Sequence, residues 1–128
     1  MILTEDNYVS KAENVIKDLA SQTDRRGNVN IVTTSQIRNL LAMTADIYND
    51  VVNTQGEKLG QDIISRINYL KIRFVYESGR ERKVRDLVDK AEILRCLDEI
   101  RNNKKQYILF SRYMEALVAY KRFYVKND

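Results

Sequence analysis

The chain contains no proline, and only four of its 128 residues are glycine. Proteins built on tight β-turns draw heavily on both residues, whereas helices exclude proline from their interiors and lose stability to glycine. A proline-free chain of this length is therefore free to run long uninterrupted helices. The apolar residues recur at the spacing that helices need. Tyr8, Ala12, Val15, Ile16 and Leu19 mark a first helix that starts after Thr4 and ends near Ser21. Thr4 is the expected N-cap there, with Leu3 placed to staple onto Tyr8. "TDRRGNVN", Thr23 to Asn30, reads as an exposed loop.

A second helix opens at "VTTSQIRNLL". Thr33 followed by Gln36 makes a capping box, and Val32 and Ile37 flank it at staple spacing. Ile37, Leu40, Leu41, Tyr48 and Val51 form its apolar stripe, and Arg38 and Asn39 point elsewhere. After a linker at 53–62, a third helix runs from about Ile63 to Ser78. Ile63, Ile67, Leu70 and Phe74 form its core face, Ile64, Ile72 and Val75 widen the arc, and the helix is expected at the centre of the bundle. Gly79 is read as its left-handed terminator. A fourth helix is expected from about Arg82 to Ile100, broken by "RNNKK". A fifth follows from about Lys105 to Val125, with Phe110, Tyr113, Met114, Leu117, Tyr120 and Tyr124 inward. The expectation is an all-α, compact single-domain bundle of about five helices over 1–128, with an N-terminal helix and basic loop at 1–31 and the bundle core at 33–126.

Several function classes are excluded or disfavoured by what the chain lacks. With no histidine, the commonest general base is absent, as are Ser–His and Cys–His nucleophile pairs. No phosphate-binding glycine loop appears. The single cysteine, Cys96, permits no intrachain disulfide and sits on an apolar face as a core thiol, which fits a reducing cytoplasm. No apolar run approaches the ~20 residues of a membrane helix, and the N-terminus "MILTEDNYVS" is acidic where a signal peptide is basic. No enzyme activity, cofactor or metal is expected.

Charge carries more information. The formal net charge of +4 is modest, but it is unevenly spread. Residues 66–85 hold seven cations (Arg66, Lys71, Arg73, Arg80, Arg82, Lys83 and Arg85) against Glu77 and Glu81, and residues 101–126 hold seven against Glu115 alone. On the third helix Arg66, Arg73, Glu77 and Arg80 fall in one narrow angular sector, bordered by Tyr69 and Tyr76. Such a stripe is either an ordinary solvated face, with Arg73 paired to Glu77, or a surface for nucleic-acid phosphates. On the fifth helix Lys105, Arg112 and Lys126 share a side with the small Ala116 and Ala119, a flat basic face able to lie close to a backbone.

Three stretches taken together bear a resemblance: "TTSQIRNLL" (33–41), "YLKIRFVYESGRERKVRDL" (69–87) and "RYMEALVAYKRFY" (112–124). In this order they resemble the small helical subunit of the type III-A CRISPR effector (Csm) complex. The resemblance implies a non-catalytic, cytoplasmic ribonucleoprotein component. Copies would stack head to tail beside a repeated backbone subunit and a large subunit, along guide RNA paired with target RNA. Carried over by position, it makes Arg38, Lys71, Arg73, Arg80 and Arg112 the RNA-binding candidates, joined by Arg66 through its helical phase with Arg73. Gly79 and Ala116 become residues of close backbone approach. The rival readings are a helix-turn-helix-like DNA-binding regulator and a purely scaffolding bundle.

Overall fold

The computed structural model describes residues 1–126. Asn127 and Asp128 lie outside the described residues, so the expected domain limit at 128 does too. Six helices follow one another: α1 (Tyr8–Ala20), α2 (Thr34–Val52), α3 (Gln61–Arg80), α4 (Arg82–Lys90), α5 (Ile93–Ile100) and α6 (Lys104–Tyr124). Among the described residues the only β-pairing is two isolated bridges, Thr23 with Val29 and Lys58 with Asn103. No helix there is long and apolar enough to cross a membrane. The all-α expectation holds, with six helices where about five were expected.

The second helix begins as the sequence dictates. The Thr33 hydroxyl accepts the Gln36 backbone N–H at 3.1 Å, and the Gln36 side chain accepts the Thr33 N–H at 2.9 Å. The two bonds satisfy donors that a helix start otherwise leaves orphaned. The first helix departs from expectation. It starts at Tyr8 rather than after Thr4, because the Asn7 side chain turns back to accept the Thr4 N–H at 2.8 Å and donates to the Ile2 carbonyl at 2.9 Å. This local loop pulls Leu3 into the core, where Glu99 accepts the Ile2 N–H and Gln106 donates to the Leu3 carbonyl.

The centre of the bundle is α6, not α3. It packs against α1, α2 and α5, and it buries Tyr107, Phe110, Tyr113, Met114 and Leu117 completely. Phe74 of α3 meets Phe110 edge-to-face with centroids 6.3 Å apart. The buried tyrosine hydroxyls find acceptors, Tyr107 on the Thr44 carbonyl at 2.6 Å and Tyr113 on the Ala91 carbonyl at 3.0 Å. Ile72 and Val75, expected to extend the core face of α3, are 60% and 51% exposed. They lie on the side of α3 away from the neighbours that cover Ile63, Ile67, Leu70 and Phe74. Tyr124, expected inward, is also exposed, and its hydroxyl bonds to Glu13.

Two junctions differ from the sequence reading. Gly79 is an interior residue of α3; the left-handed glycines are Gly27 and Gly56, both in loops. The helix ends instead where Glu81 turns extended, and the Glu81 side chain accepts the Lys83 N–H to start α4. The expected fourth helix is split at Ala91–Glu92 into α4 and α5. Glu92 takes a left-handed backbone with φ 56°, which costs a non-glycine residue about 1–2 kcal/mol. Several contacts offset that cost. Tyr113 caps the free Ala91 carbonyl, and the Glu92 carboxylate is held by Lys11 at 2.8 Å and Arg95 at 2.9 Å.

Candidate nucleic-acid interface

The candidate cations are carried by α2, α3 and α6. Helix α2 runs antiparallel to both of the others. Arg66 near the start of α3 meets Asp50 near the end of α2. Tyr107 near the start of α6 reaches Thr44, and Lys121 near its end reaches Thr34 at 2.9 Å. That register brings Arg73 and Arg112 to the level of residues 38–43 of α2, the stretch that begins with Arg38. Arg38 lies at nearly the opposite helical phase from the buried Leu40, Ile47 and Val51, so it stands on the outer back of α2. Arg73 lines the groove on one flank of α2, with Asn39, Ala42 and Tyr69. Arg112 lines the groove on the other flank, with Tyr8, Tyr48 and Tyr120. By this register Arg73, Arg38 and Arg112 sit at similar levels of three helices, α3, α2 and α6, a band in level along the bundle.

Ion pairing separates the candidates into two sets. Arg38, Arg73 and Arg112 make no ion pair among the described residues, and all three are exposed. Glu77 is not the partner of Arg73; it lies 3.6 Å from Arg80 instead. Arg66 is tied to the Asp50 carboxylate and also donates to the Asp46 carbonyl at 3.1 Å. The hydrogen bond it donates to Asp50 holds its guanidinium above the ordinary arginine value. Lys71 is on the far flank of α3, in a separate groove with Asn68 and Arg101, and bonds to Asp98 at 2.7 Å. The six candidates therefore do not converge into one trough. Three make no ion pair among the described residues, Arg66 is held by Asp50, Arg80 extends the α3 stripe with Glu77 nearby, and Lys71 faces elsewhere.

Other charges expected at the surface are also compensated or hidden. Arg82 lies 3.8 Å from Asp86 and Arg85 lies 3.5 Å from Asp89, both one turn apart on α4. Lys121 is wholly buried, its ammonium on the Thr34 hydroxyl. Lys105 does share a surface with Arg112, beside Glu5 and Tyr8. Ala116 and Ala119 line the same groove as Arg112, so the small-residue surface of α6 is where the sequence placed it. At Gly79 an added methyl group meets nothing within 4 Å, so no contact inside the molecule requires a glycine there.

Sequence reasoning missed Asp46, Asp50 and Asp98 as partners of the candidate cations. They lie 16 to 27 residues from the cations they bind, on different helices, and no local spacing signals such a pair. The lone thiol offers no chemistry: Cys96 is buried, and desolvation pushes it up to about 12, which leaves it protonated at neutral pH. The grooves that hold Arg73 and Arg112 also carry acidic residues, Asp46 in the first and Glu115 in the second, but neither arginine is within ion-pair distance of a carboxylate among the described residues.

Comparison with known proteins identifies the family. The sequence model of the type III-A Csm2 family matches residues 10–127. The CRISPR system Cms protein Csm2 of Streptococcus thermophilus is 44% identical over 127 residues, covering 99% of this chain and 98% of that protein. The protein of the same name from Enterococcus italicus is 37% identical over 124 residues, 91% of this chain and 89% of its own. The Mycobacterium tuberculosis protein of that name is 36% identical over 128 residues, 100% of this chain and 99% of its own. The match runs from the first helix through the last and covers the stretches that carry Arg38, Arg73 and Arg112, and on this basis the chain belongs to the type III-A Csm2 family.

Proposed function

We propose that this protein is the non-catalytic small subunit of a type III-A CRISPR ribonucleoprotein interference complex. In this reading, copies stack head to tail along the guide RNA–target RNA duplex and hold its backbone phosphates without reading sequence. Its neighbours are the repeated backbone subunit, the large subunit and further copies of itself. What supports the RNA contact is that Arg38, Arg73 and Arg112, on three helices at similar levels, are exposed and make no ion pair among the described residues. Arginines facing phosphates position a strand and release counterions, and they carry no base information. That suits a subunit serving any guide, since pairing with the guide supplies specificity.

The helix-turn-helix alternative draws less support. Its recognition helix would be the fourth or fifth expected helix; on α4, Arg82 and Arg85 lie beside Asp86 and Asp89, and the carboxylates repel a DNA backbone. The scaffolding alternative leaves the unpaired band without a role.

A complex assembled with Arg38→Glu, Arg73→Glu and Arg112→Glu in this subunit tests the reading. The expected result is normal co-purification with guide RNA and the other subunits, together with weakened capture of target RNA. Undiminished capture would sink the RNA contact and favour the scaffold.

A further inference from the structure

The groove between α2 and α3 encloses about 530 Å³ and has two kinds of wall. Its floor is apolar, made by Met43, Ile47 and Leu70, all buried. Its lips are polar and aromatic: Asn39 from α2, and Tyr69 and Arg73 from α3. The Tyr69 ring is 60% exposed, an unusual position for a large aromatic side chain. Among the described residues its hydroxyl has no hydrogen-bond partner, and Arg73 in the same groove makes no ion pair. The far end of the groove carries both signs: Arg66, held by Asp50 and by the Asp46 carbonyl, and the exposed Asp46 carboxylate, which leaves Arg73 as the cation a phosphate would meet.

We propose that this groove holds one unstacked nucleobase of a single-stranded RNA, with the neighbouring phosphate on Arg73. The proposal rests on the phosphate-binding reading above and adds a ligand group and a strand state to it. An exposed aromatic face next to an unpaired arginine is the pairing that single-strand binders use, the ring for the base and the cation for the backbone. The apolar floor accepts any base face. The Asn39 amide offers both donors and an acceptor, so it serves any base edge without selecting one. A base inside a continuous duplex is stacked and paired and does not enter such a groove. The groove therefore takes an unpaired nucleotide, while the backbone contacts of the arginines to duplex RNA do not depend on it.

The test uses single-stranded RNA carrying 2-aminopurine, bound to the full chain alone and to the complex assembled with it. Proteins are the wild type, Tyr69→Phe, Tyr69→Ala and Arg73→Glu. Binding to the wild type and to Tyr69→Phe is expected to quench 2-aminopurine emission. Tyr69→Ala is expected to lose the quench and bind at least about fivefold more weakly, with the salt dependence unchanged because no charge is removed. Arg73→Glu is expected to weaken binding and flatten the salt dependence. Bound RNA whose emission does not change, or Tyr69→Ala binding as tightly as wild type while Arg73→Glu still weakens it, overturns the nucleobase site, leaves the phosphate contact standing and assigns the groove to a protein neighbour. RNA binding that is absent, or indifferent to Arg73→Glu as well, removes both.

Discussion

Removing the three unpaired arginines together is the sharpest quantitative probe of the interface. Arg38, Arg73 and Arg112 are exposed and make no ion pairs among the described residues, so Arg38→Ala, Arg73→Ala and Arg112→Ala should leave stability within about 0.5 kcal/mol per site. If each neutralises one phosphate, the triple variant releases three fewer counterions on binding single-stranded RNA. The slope of log affinity against log salt should then become shallower by about 2, since each phosphate contributes about 0.7 on a single strand. Across a fourfold rise in salt, from roughly 50 to 200 mM, the advantage of the wild type over the variant should shrink about 20-fold. The control is Arg66→Ala with Lys71→Ala. Both cations already rest on carboxylates, Asp50 and Asp98, and each pair presents little net charge to an approaching phosphate. The control should change the slope far less than the triple variant. Filter-binding titrations at several salt concentrations measure both. The reasoning is refuted if the control flattens the slope as much as the triple variant, or if the triple variant leaves it unchanged.

The remaining expectations concern the scaffold that holds the band. Gly79 lies inside a helix with open space around it, so Gly79→Ala should raise stability by about 0.4–1 kcal/mol in urea unfolding; a loss of RNA capture by the same variant would place a ligand backbone against that position. Phe74→Ala should cost about 3–5 kcal/mol because Phe74 is fully buried against Phe110, whereas Ile72→Glu two residues earlier should cost little. A thermal melt of the two variants that ranked them the other way would contradict the assignment of the core face. Thr33→Ala removes half of the capping box and should cost about 1 kcal/mol. Folding raises the Cys96 thiol to about 12 through burial, so above roughly pH 8.5 the unfolded chain loses a proton that the folded chain keeps. Stability should therefore fall as pH rises through that window and be insensitive to this group below it, as alkaline urea titrations will show. Thiol labelling at pH 8 should be slow until the protein unfolds.

What the sequence determined by itself was whatever depends on neighbours within a turn or two. The absence of proline and the helical recurrence of apolar residues set the all-α class, and the Thr33–Gln36 pair set the start of α2 to the residue, because a cap is a contact across three positions. The angular grouping of Arg66, Arg73 and Arg80 on one side of α3 was legible for the same reason. Tertiary structure decided the rest. The break at Glu92 has no glycine or proline to announce it; Lys11 of α1 and Arg95 in the first turn of α5 hold the Glu92 carboxylate, and Tyr113 of α6 bonds the Ala91 carbonyl beside it. Ile72 and Val75 read as core because periodicity reports which residues share a face and not whether another element covers that face. The division of the cations into free and neutralised sets was likewise invisible. Asp50 and Asp98 reach Arg66 and Lys71 across helix–helix contacts, and an electrostatic pair depends on distance in space, which separation along the chain does not encode.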